Sequence, residues 1–484
     1  DQLRKLNVHK ATGPDNLSAR LLRETAHVIA PALSNIYQLS LDRFEVPTDW
    51  RHARVCAIYK KGDRYDPGNY RPISITCLCS KILEHIITSN TMRYLEDHNL
   101  LHNRQHGFRS KRSCESQLIE LTSQLSAALD GGDEVDAIVL DFSKAFDKVS
   151  HSKLVTKLNS IGLNPQITWW VNSFLSERTQ EVVVDGHHST HCHVTSGVPQ
   201  GSVVGPCLFL IYINDLPQSV KSEVRLFADD TVIYTTADKR DQLQADLRAL
   251  QDWEALWDME FNPSKCEHIT FTRKKSKRSN NSYSLHNTSI PKVQEIKYLG
   301  VKLEHSLRWN SNTEYLSGKA SGKVGFIGRT IPPSLKHLRD KAYCSLVRPI
   351  LEYSSTVWDS SLTSTQSKQL ESIQRKAARM VHCVPRTDHT TSTTALIADL
   401  GWDTLQERRG RRRLGIFRAM HFNEVATNIE DFLNPHTITA GYSRRHSLQY
   451  TIPHCNTKSH QQSFFVATAK DWNSLPPSST LLCG

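Results

Sequence analysis

Three carboxylates stand where short apolar runs end. Asp141 follows Ile138-Val139-Leu140, while Asp229-Asp230 follow Leu226-Phe227-Ala228 and precede a second β-rich run at 231–234. A tight turn between two adjacent strands exposes both of the paired acids at a sheet edge. If the two strand systems are neighbours in one sheet, Asp141 meets the pair there. Clustered carboxylates repel one another and cost free energy unless cations neutralise them. Hard oxygen ligands with few imidazoles suit Mg²⁺, which keeps waters and takes substrate phosphates as further ligands. Two such ions about 3.5–4 Å apart stabilise the attacking and leaving oxygens of an in-line phosphoryl displacement. An Asp-Asp pair alone is a weak signal, so order and context must supply the strength.

The elements that would position these acids can be read from periodicity. Residues 135–140 read as a buried strand, 224–228 and 231–234 as two further strands. Leu243, Leu247, Leu250, Trp253 and Trp257 form a helical stripe better suited to a core than to a cofactor. Upstream, Leu17, Leu21, Leu22, Val28, Ile29, Leu33 and Ile36 recur at helical spacing, 55–59 is a short strand, and 79–95 a second amphipathic helix. Helices are expected at 154–161 and 167–175. Strands at 181–184 and 192–195 are joined through Asp185-Gly186 by a loop longer than two residues. His191-Cys192-His193 lies in that alternating stretch, so its side chains point to opposite faces, and a structural reading is preferred.

Bulk properties set the bounds. The chain has 484 residues with 60 Lys+Arg against 49 Asp+Glu, a surplus of +11 that points toward nucleic acid or another anionic surface. Hydrophobic residues make up 38% and are spread throughout, which excludes a disordered polyelectrolyte. No stretch approaches a membrane span, and the opening DQLRKLNVHK has neither an initiating Met nor the apolar core of a signal peptide, so the chain is expected to be a piece of something longer. The 11 Cys are odd in number and scattered, which fits a reducing compartment and no disulfide framework. Two basic runs, 273–278 and 408–413, read either as phosphate-binding or nuclear-localisation patches or as solvated faces. Between them, 369–381 has Leu370, Ile373, Ala377 and Val381 on one face and Arg375, Lys376 and Arg379 around the rest.

Order now supplies what the single pairs lack. Val139-Leu140-Asp141-Phe142-Ser143-Lys144-Ala145-Phe146-Asp147, then Ser196-Gly197-Val198-Pro199-Gln200-Gly201-Ser202, then Phe227-Ala228-Asp229-Asp230 resemble motifs A, B and C of reverse transcriptases, in the manner of non-LTR (LINE-type, Jockey-like) retrotransposons. Asn69-Tyr70-Arg71-Pro72-Ile73-Ser74 and Gln105-His106-Gly107-Phe108-Arg109 resemble the fingers motifs. Asn262-Pro263-Ser264-Lys265-Cys266 resembles motif D, and Lys297-Tyr298-Leu299-Gly300-Val301 motif E. The closely similar part is about 10–385, and Asp471-Trp472-Asn473-Ser474-Leu475-Pro476 is similar to the C-terminal ends of such elements.

The resemblance implies an α+β right-hand polymerase: fingers at 1–130, an antiparallel palm sheet backed by helices at 131–310, a helical thumb at 311–385 and a basic C-terminal region at 386–484. It implies that Asp141, Asp229 and Asp230 bind the metals, two Mg²⁺ with Mn²⁺ as a substitute, Asp230 less directly than the others. Phe146 would lie under the sugar and exclude a 2′-OH. Gln200 would sit beside the incoming base, and Lys60 and Arg71 would hold the triphosphate. Lys265 would donate a proton to pyrophosphate, and Tyr298-Leu299-Gly300 would form a primer grip. The implied partners are an RNA template, a DNA primer, dNTPs and a ribonucleoprotein with the element's RNA, working in the nucleus after assembly in the cytoplasm. The implied chain has no membrane segment. Such elements often carry an endonuclease before the polymerase, for which this chain has no room ahead of its fingers. Two alternatives stay open: an RNA-dependent RNA polymerase, with Asp147 as a second acid near the sugar, and an inactive nucleic-acid-binding relic.

Overall fold

A computed structural model describes residues 1–274, 281–385, 387–435 and 449–475. Most of the first basic run and Pro476 lie outside these residues. In chain order the first strands are β1 (His52–Tyr59), β2 (Tyr70–Ile75), β3 (Val135–Leu140), β4 (Arg178–Val184), β5 (His187–His188) and β6 (Cys192–Val194). Then come β7 (Glu223–Phe227), β8 (Asp230–Thr236), β9 (Glu267–Phe271), β10 (Ser284–Leu285) and β11 (Thr288–Ser289). The last are β12 (Lys292–Val293), β13 (Glu295–Tyr298) and β14 (Val301–Glu304).

The chain divides into two compact units that interleave along the sequence. One comprises Asp1–Phe108, Asp141–Lys221 and Ala245–Pro263; the other comprises Arg109–Leu140, Ser222–Gln244 and Ser264–Gly484. The four segments that the resemblance implies follow sequence order, whereas these units group residues by spatial contact.

In the first unit a sheet of order β2-β1-β4-β5, with β6 also on β4, is crossed by parallel pairing between β1 and β4. The Asp185-Gly186 connection is tighter than expected. Val184 pairs with His187, leaving two turn residues, both at positive φ (50° and 81°). That is the backbone a right-handed twist between two hairpin strands requires, and Asp-Gly adopts it at little cost. The helix Gly205–Tyr212 is apolar all round and is buried accordingly. Its N-terminal approach is held by Glu84, a buried carboxylate whose Oε2 accepts the Val203 and Val204 amides at 2.7 and 3.3 Å. Of the first helical stripe, Leu22 is buried, whereas Leu17, Leu21, Val28 and Ile36 are exposed.

In the second unit the sheet has the order β12-β9-β3-β8-β7. Its three inner ladders are antiparallel, as expected, but the edge strand β12 runs parallel to β9. The helix Cys114–Asp130, started by a reciprocal Ser113–Ser116 capping box, lays Leu118, Leu121 and Leu125 into the same core as Val135, Val232 and Ile269. Helices Asn310–Thr330 and Ser364–Val381 extend that core, the latter burying the Leu370, Ile373, Ala377 and Val381 face.

Among the described residues of the C-terminal region, Trp402, Leu405, Phe417, Phe464 and Trp472 are buried in this core. The second basic run is paired with acids in the fold, with Arg409 buried and Arg411 still exposed. Within the helix Leu405–His421, Arg408 pairs with Glu352, Arg409 with Asp359, Arg411 with Asp403, Arg412 with Glu115, and Arg413 with Asp359 and Asp471. Acids remote in sequence thus neutralise a run that looks cationic in one dimension. No disulfide joins cysteines among the described residues. No described helix is long and apolar enough to cross a membrane.

Candidate active site

The hairpin that carries the paired acids is as tight as a hairpin can be. Phe227 pairs with Asp230, so Ala228 and Asp229 alone form the turn, with Ala228 at φ 54°. A non-glycine residue there stores backbone strain. Asp229 is half-buried and Asp230 exposed. On the neighbouring strand, Leu140, one residue before Asp141, pairs with Thr231, one residue after Asp230.

A second hairpin lies in the field of Asp230. Tyr298 pairs with Val301, leaving Leu299 and Gly300 as turn residues at φ 44° and 84°. The Tyr353 hydroxyl donates to the Leu299 carbonyl at 2.9 Å, and a Cβ on Gly300 would come within 3.0 Å of the Tyr353 ring. Tyr298 is fully buried. Burial foremost, with the negative charge of Asp230 adding to it, pushes its phenol well above the ordinary value. Tyr298 is therefore a packing residue, and Leu299 and Gly300 are half-buried.

In the first unit, Asp141 begins a segment clamped to residues 260–262. Its carbonyl accepts the Asn262 amide at 2.7 Å, the Ser143 amide donates to the Glu260 carbonyl at 2.7 Å, and Phe142 stacks on Phe261 at 4.1 Å. Lys265, exposed on a single 3₁₀ turn, follows three residues after Asn262 and leads into β9.

The Gly197–Gly201 loop is locked from two sides. Gly197 donates to the Val149 carbonyl and Val198 to the Phe146 carbonyl, each at 2.8 Å, while His151 Nε2 bonds the Gly197 carbonyl at 2.8 Å. On the other side the Ser74 amide, on the edge strand β2, donates to the Gln200 carbonyl at 2.6 Å. The Gln200 side chain donates to Asp147 Oδ1 at 2.9 Å. A cavity of about 270 Å³ opens beside it, bordered by Pro72, Ser74, Lys144, Asp147, Ser196 and Gln200 among others. Phe146, half-buried, stacks on Phe209 at 4.3 Å.

The structure gathers Gln200, Asp147 and Phe146 but does not bring Arg71 to that cavity. Arg71 and Lys60 are exposed at the free end of the β1–β2 hairpin, and alternation puts Arg71 on the face opposite Pro72 and Ser74. Sequence reasoning missed Glu84 and His151 as supports. The signal for Glu84 was a carboxylate set on the apolar face of a helix.

The family described as "Reverse transcriptase (RNA-dependent DNA polymerase)" matches residues 58–303, about half of the chain. The chain is a member of the reverse transcriptase family. It is 30% identical over 397 residues to "RNA-directed DNA polymerase from mobile element jockey" of Drosophila melanogaster, covering 79% of this chain and 43% of that protein. It is 27% identical to "Probable RNA-directed DNA polymerase from transposon X-element" of the same species, covering 77% of this chain and 42% of that protein. It is 26% identical to "Probable RNA-directed DNA polymerase from transposon BS", also from that species, covering 85% and 47%. The chain thus spans less than half the length of these curated relatives. Reverse transcriptase domains depend on a divalent metal, and a turn bearing Asp229 and Asp230 offers the carboxylate oxygens such an ion takes.

Proposed function

We propose that this chain is the RNA-directed DNA polymerase of a non-LTR retrotransposon, extending a primer 3′-OH with dNTPs on an RNA template. The observation that carries the reading is the β3–β8 register, in which Asp141 and Asp230 flank the Leu140–Thr231 pair, within a chain of the reverse transcriptase family. On this reading the second unit's sheet is the palm, the β1–β2 hairpin belongs to the fingers, and the helices after β14 are the thumb.

Asp141 and Asp229 would hold two Mg²⁺ ions, or Mn²⁺ in their place, with Asp230 in a supporting position. When bound, the ions offset the charge that develops on the attacking and leaving oxygens. Lys60 and Arg71, exposed at a hairpin end, would meet a triphosphate arriving from solvent. The locked Gln200 supplies a fixed polar edge for base and template, and the Phe146 ring closes the space a 2′-OH would need. Lys265 would give a proton to departing pyrophosphate, and the Leu299-Gly300 turn would steady the primer by backbone contact. Most of the catalysis is then positioning and charge stabilisation. The working form would be a ribonucleoprotein with the element's RNA, acting in the nucleus.

The RNA-polymerase alternative needs Asp147 at the ribose, and Asp147 is instead engaged by Gln200. Primer extension on a defined RNA template tests the proposal. Mg²⁺-dependent dNTP incorporation is expected, lost in Asp229→Ala with RNA binding retained. Preference for rNTPs would move the reading to an RNA polymerase, and RNA binding without extension by the native chain would leave a relic.

A further inference from the structure

One face of the first unit's sheet carries a cluster that nucleotide transfer leaves unused. Alternation puts His52, Arg54, Thr179 and Glu181 on one face of the sheet. The β1–β4 register pairs His52 with Thr179 and Arg54 with Glu181. The register of β4 with β5 pairs Val183 with His188, and that with β6 pairs Gln180 with Cys192, which sets His191 opposite Glu181. Period two thus gathers three imidazoles and one carboxylate from four separate segments.

The side chains meet as the register requires. The Glu181 side chain is only 9% exposed, and its two oxygens are used differently. Oε1 accepts from Arg54 Nε at 3.2 Å and lies 3.7 Å from His52 Nε2. Oε2 lies 3.0 Å from His188 Nδ1 and 3.4 Å from His191 Nε2. Donor atoms of His52, Glu181 and His191 all fall within 4.8 Å of one another. His52 Nδ1 is hydrogen-bonded to Thr179 Oγ1 at 2.9 Å, which fixes the ring with Nε2 toward the glutamate.

Metal–nitrogen and metal–oxygen bonds of about 2.0–2.2 Å in a tetrahedron place donor atoms about 3.3 Å apart. The His52 and His191 spacings from Glu181, 3.7 and 3.4 Å, lie close to that value. Two imidazoles with one carboxylate suit a borderline ion rather than Mg²⁺, with water completing the tetrahedron. We propose that His52, Glu181 and His191 bind a divalent transition ion of the Zn²⁺ class, at a site distinct from the catalytic carboxylates. Arg54, Thr179 and His188, which contact Glu181 or His52, would orient the ligands from outside, as partners of metal-bound carboxylate and histidine commonly do. The ion would tie β1 to β4 and the approach to β6.

Co²⁺ titration of the chelator-stripped full chain is the test, because imidazole-rich tetrahedral Co²⁺ absorbs strongly in the visible and octahedral oxygen-ligated Co²⁺ does not. The native chain should take up one equivalent with the tetrahedral spectrum, and millimolar Mg²⁺ should leave it in place. Zn²⁺ should displace the Co²⁺ and raise the Tm. His191→Ala alters a side chain that is 63% exposed, so the fold should persist while affinity falls by about tenfold or more. His52→Gln should behave alike, and Asp229→Asn should leave the spectrum unchanged. An absent tetrahedral band, displacement by Mg²⁺, or equal affinity in native chain and His191→Ala would overturn the site.

Discussion

Gln200 Nε2 donates to Asp147 Oδ1 at 2.9 Å, joining the two loops that flank the proposed nucleotide space. The acid that sequence alone could assign to a ribose is thereby occupied in holding the glutamine. A hydrogen bond to a charged group contributes about 1.5–3 kcal/mol, or roughly 10–100-fold in a rate constant. Asp147→Ala should therefore lower kcat/KM for dNTPs by that factor while Asp147→Asn restores most of it. Discrimination against rNTPs should be unchanged in both, and its loss in Asp147→Ala would place the carboxylate at the sugar instead.

Phe146 stacks on Phe209, meets Phe108 edge-on and is half-buried. Phe146→Ala should admit rNTPs at least about tenfold more readily, the effect of removing a clash of about 1.4 kcal/mol. It should also lose about 1–3 kcal/mol of stability, less than a fully buried Phe would. Unaltered dNTP/rNTP selectivity with lowered stability would return Phe146 to a packing role.

Gly197 adopts φ 87°, and a Cβ there would lie 2.7 Å from the Asp147 carbonyl oxygen. Backbone cannot give way as a flexible side-chain end can. Gly197→Ala should cost about 1–3 kcal/mol and displace the Gln200 loop. Urea unfolding measures the first and primer extension the second. A variant equal to the native chain in both would show that the loop is not held against Asp147.

Lys157 is buried, donates to Asp215 Oδ1 at 2.6 Å, and lies 3.6 Å from the centre of the Trp257 ring. Burial, opposed by Asp215, lowers its pKa to about 8 from the ordinary 10.5. Between those values the unfolded chain binds more protons than the folded one, so this group makes stability rise with pH, by at most about 1.4 kcal/mol per unit. The native chain minus Lys157→Met should show that rise above pH 8 in urea midpoints. Parallel pH profiles would mean that the lysine is not desolvated.

Asp359 accepts from Arg409 Nε and from Arg413, both at 2.7 Å, and Arg409 is fully buried. Asp359→Ala strands a buried cation and should cost about 3–5 kcal/mol. Exchanging the exposed Arg411 for Gln should alter neither stability nor RNA affinity by more than a few tenths of a kcal/mol. A clear loss of RNA affinity in Arg411→Gln would restore the run as a nucleic-acid contact.

Much of this protein is legible without coordinates because its determinants are local. The apolar runs at 135–140 and 231–234 become β3 and β8, and in the helical stripe Leu243, Leu247, Leu250 and Trp253 are buried while Trp257 is half-buried. Motif order was sufficient to name the family, and the carboxylates at strand ends were sufficient to suggest metal-assisted phosphoryl chemistry. The tight turn at Asp185-Gly186 was underestimated, although its residue types were in view.

What only tertiary structure decided is which distant groups meet. The parallel β1–β4 pairing sets His52 and Arg54 beside Glu181. The arginines at 408–413 look like a cationic patch until the fold supplies Glu115, Glu352, Asp359 and Asp471 as partners. The physical reason is the same in each case. Residue type and spacing govern turns, caps and the faces of strands and helices over a few residues. Strand register and long-range ion pairing are settled by the collective burial of a core, and no local pattern records that outcome.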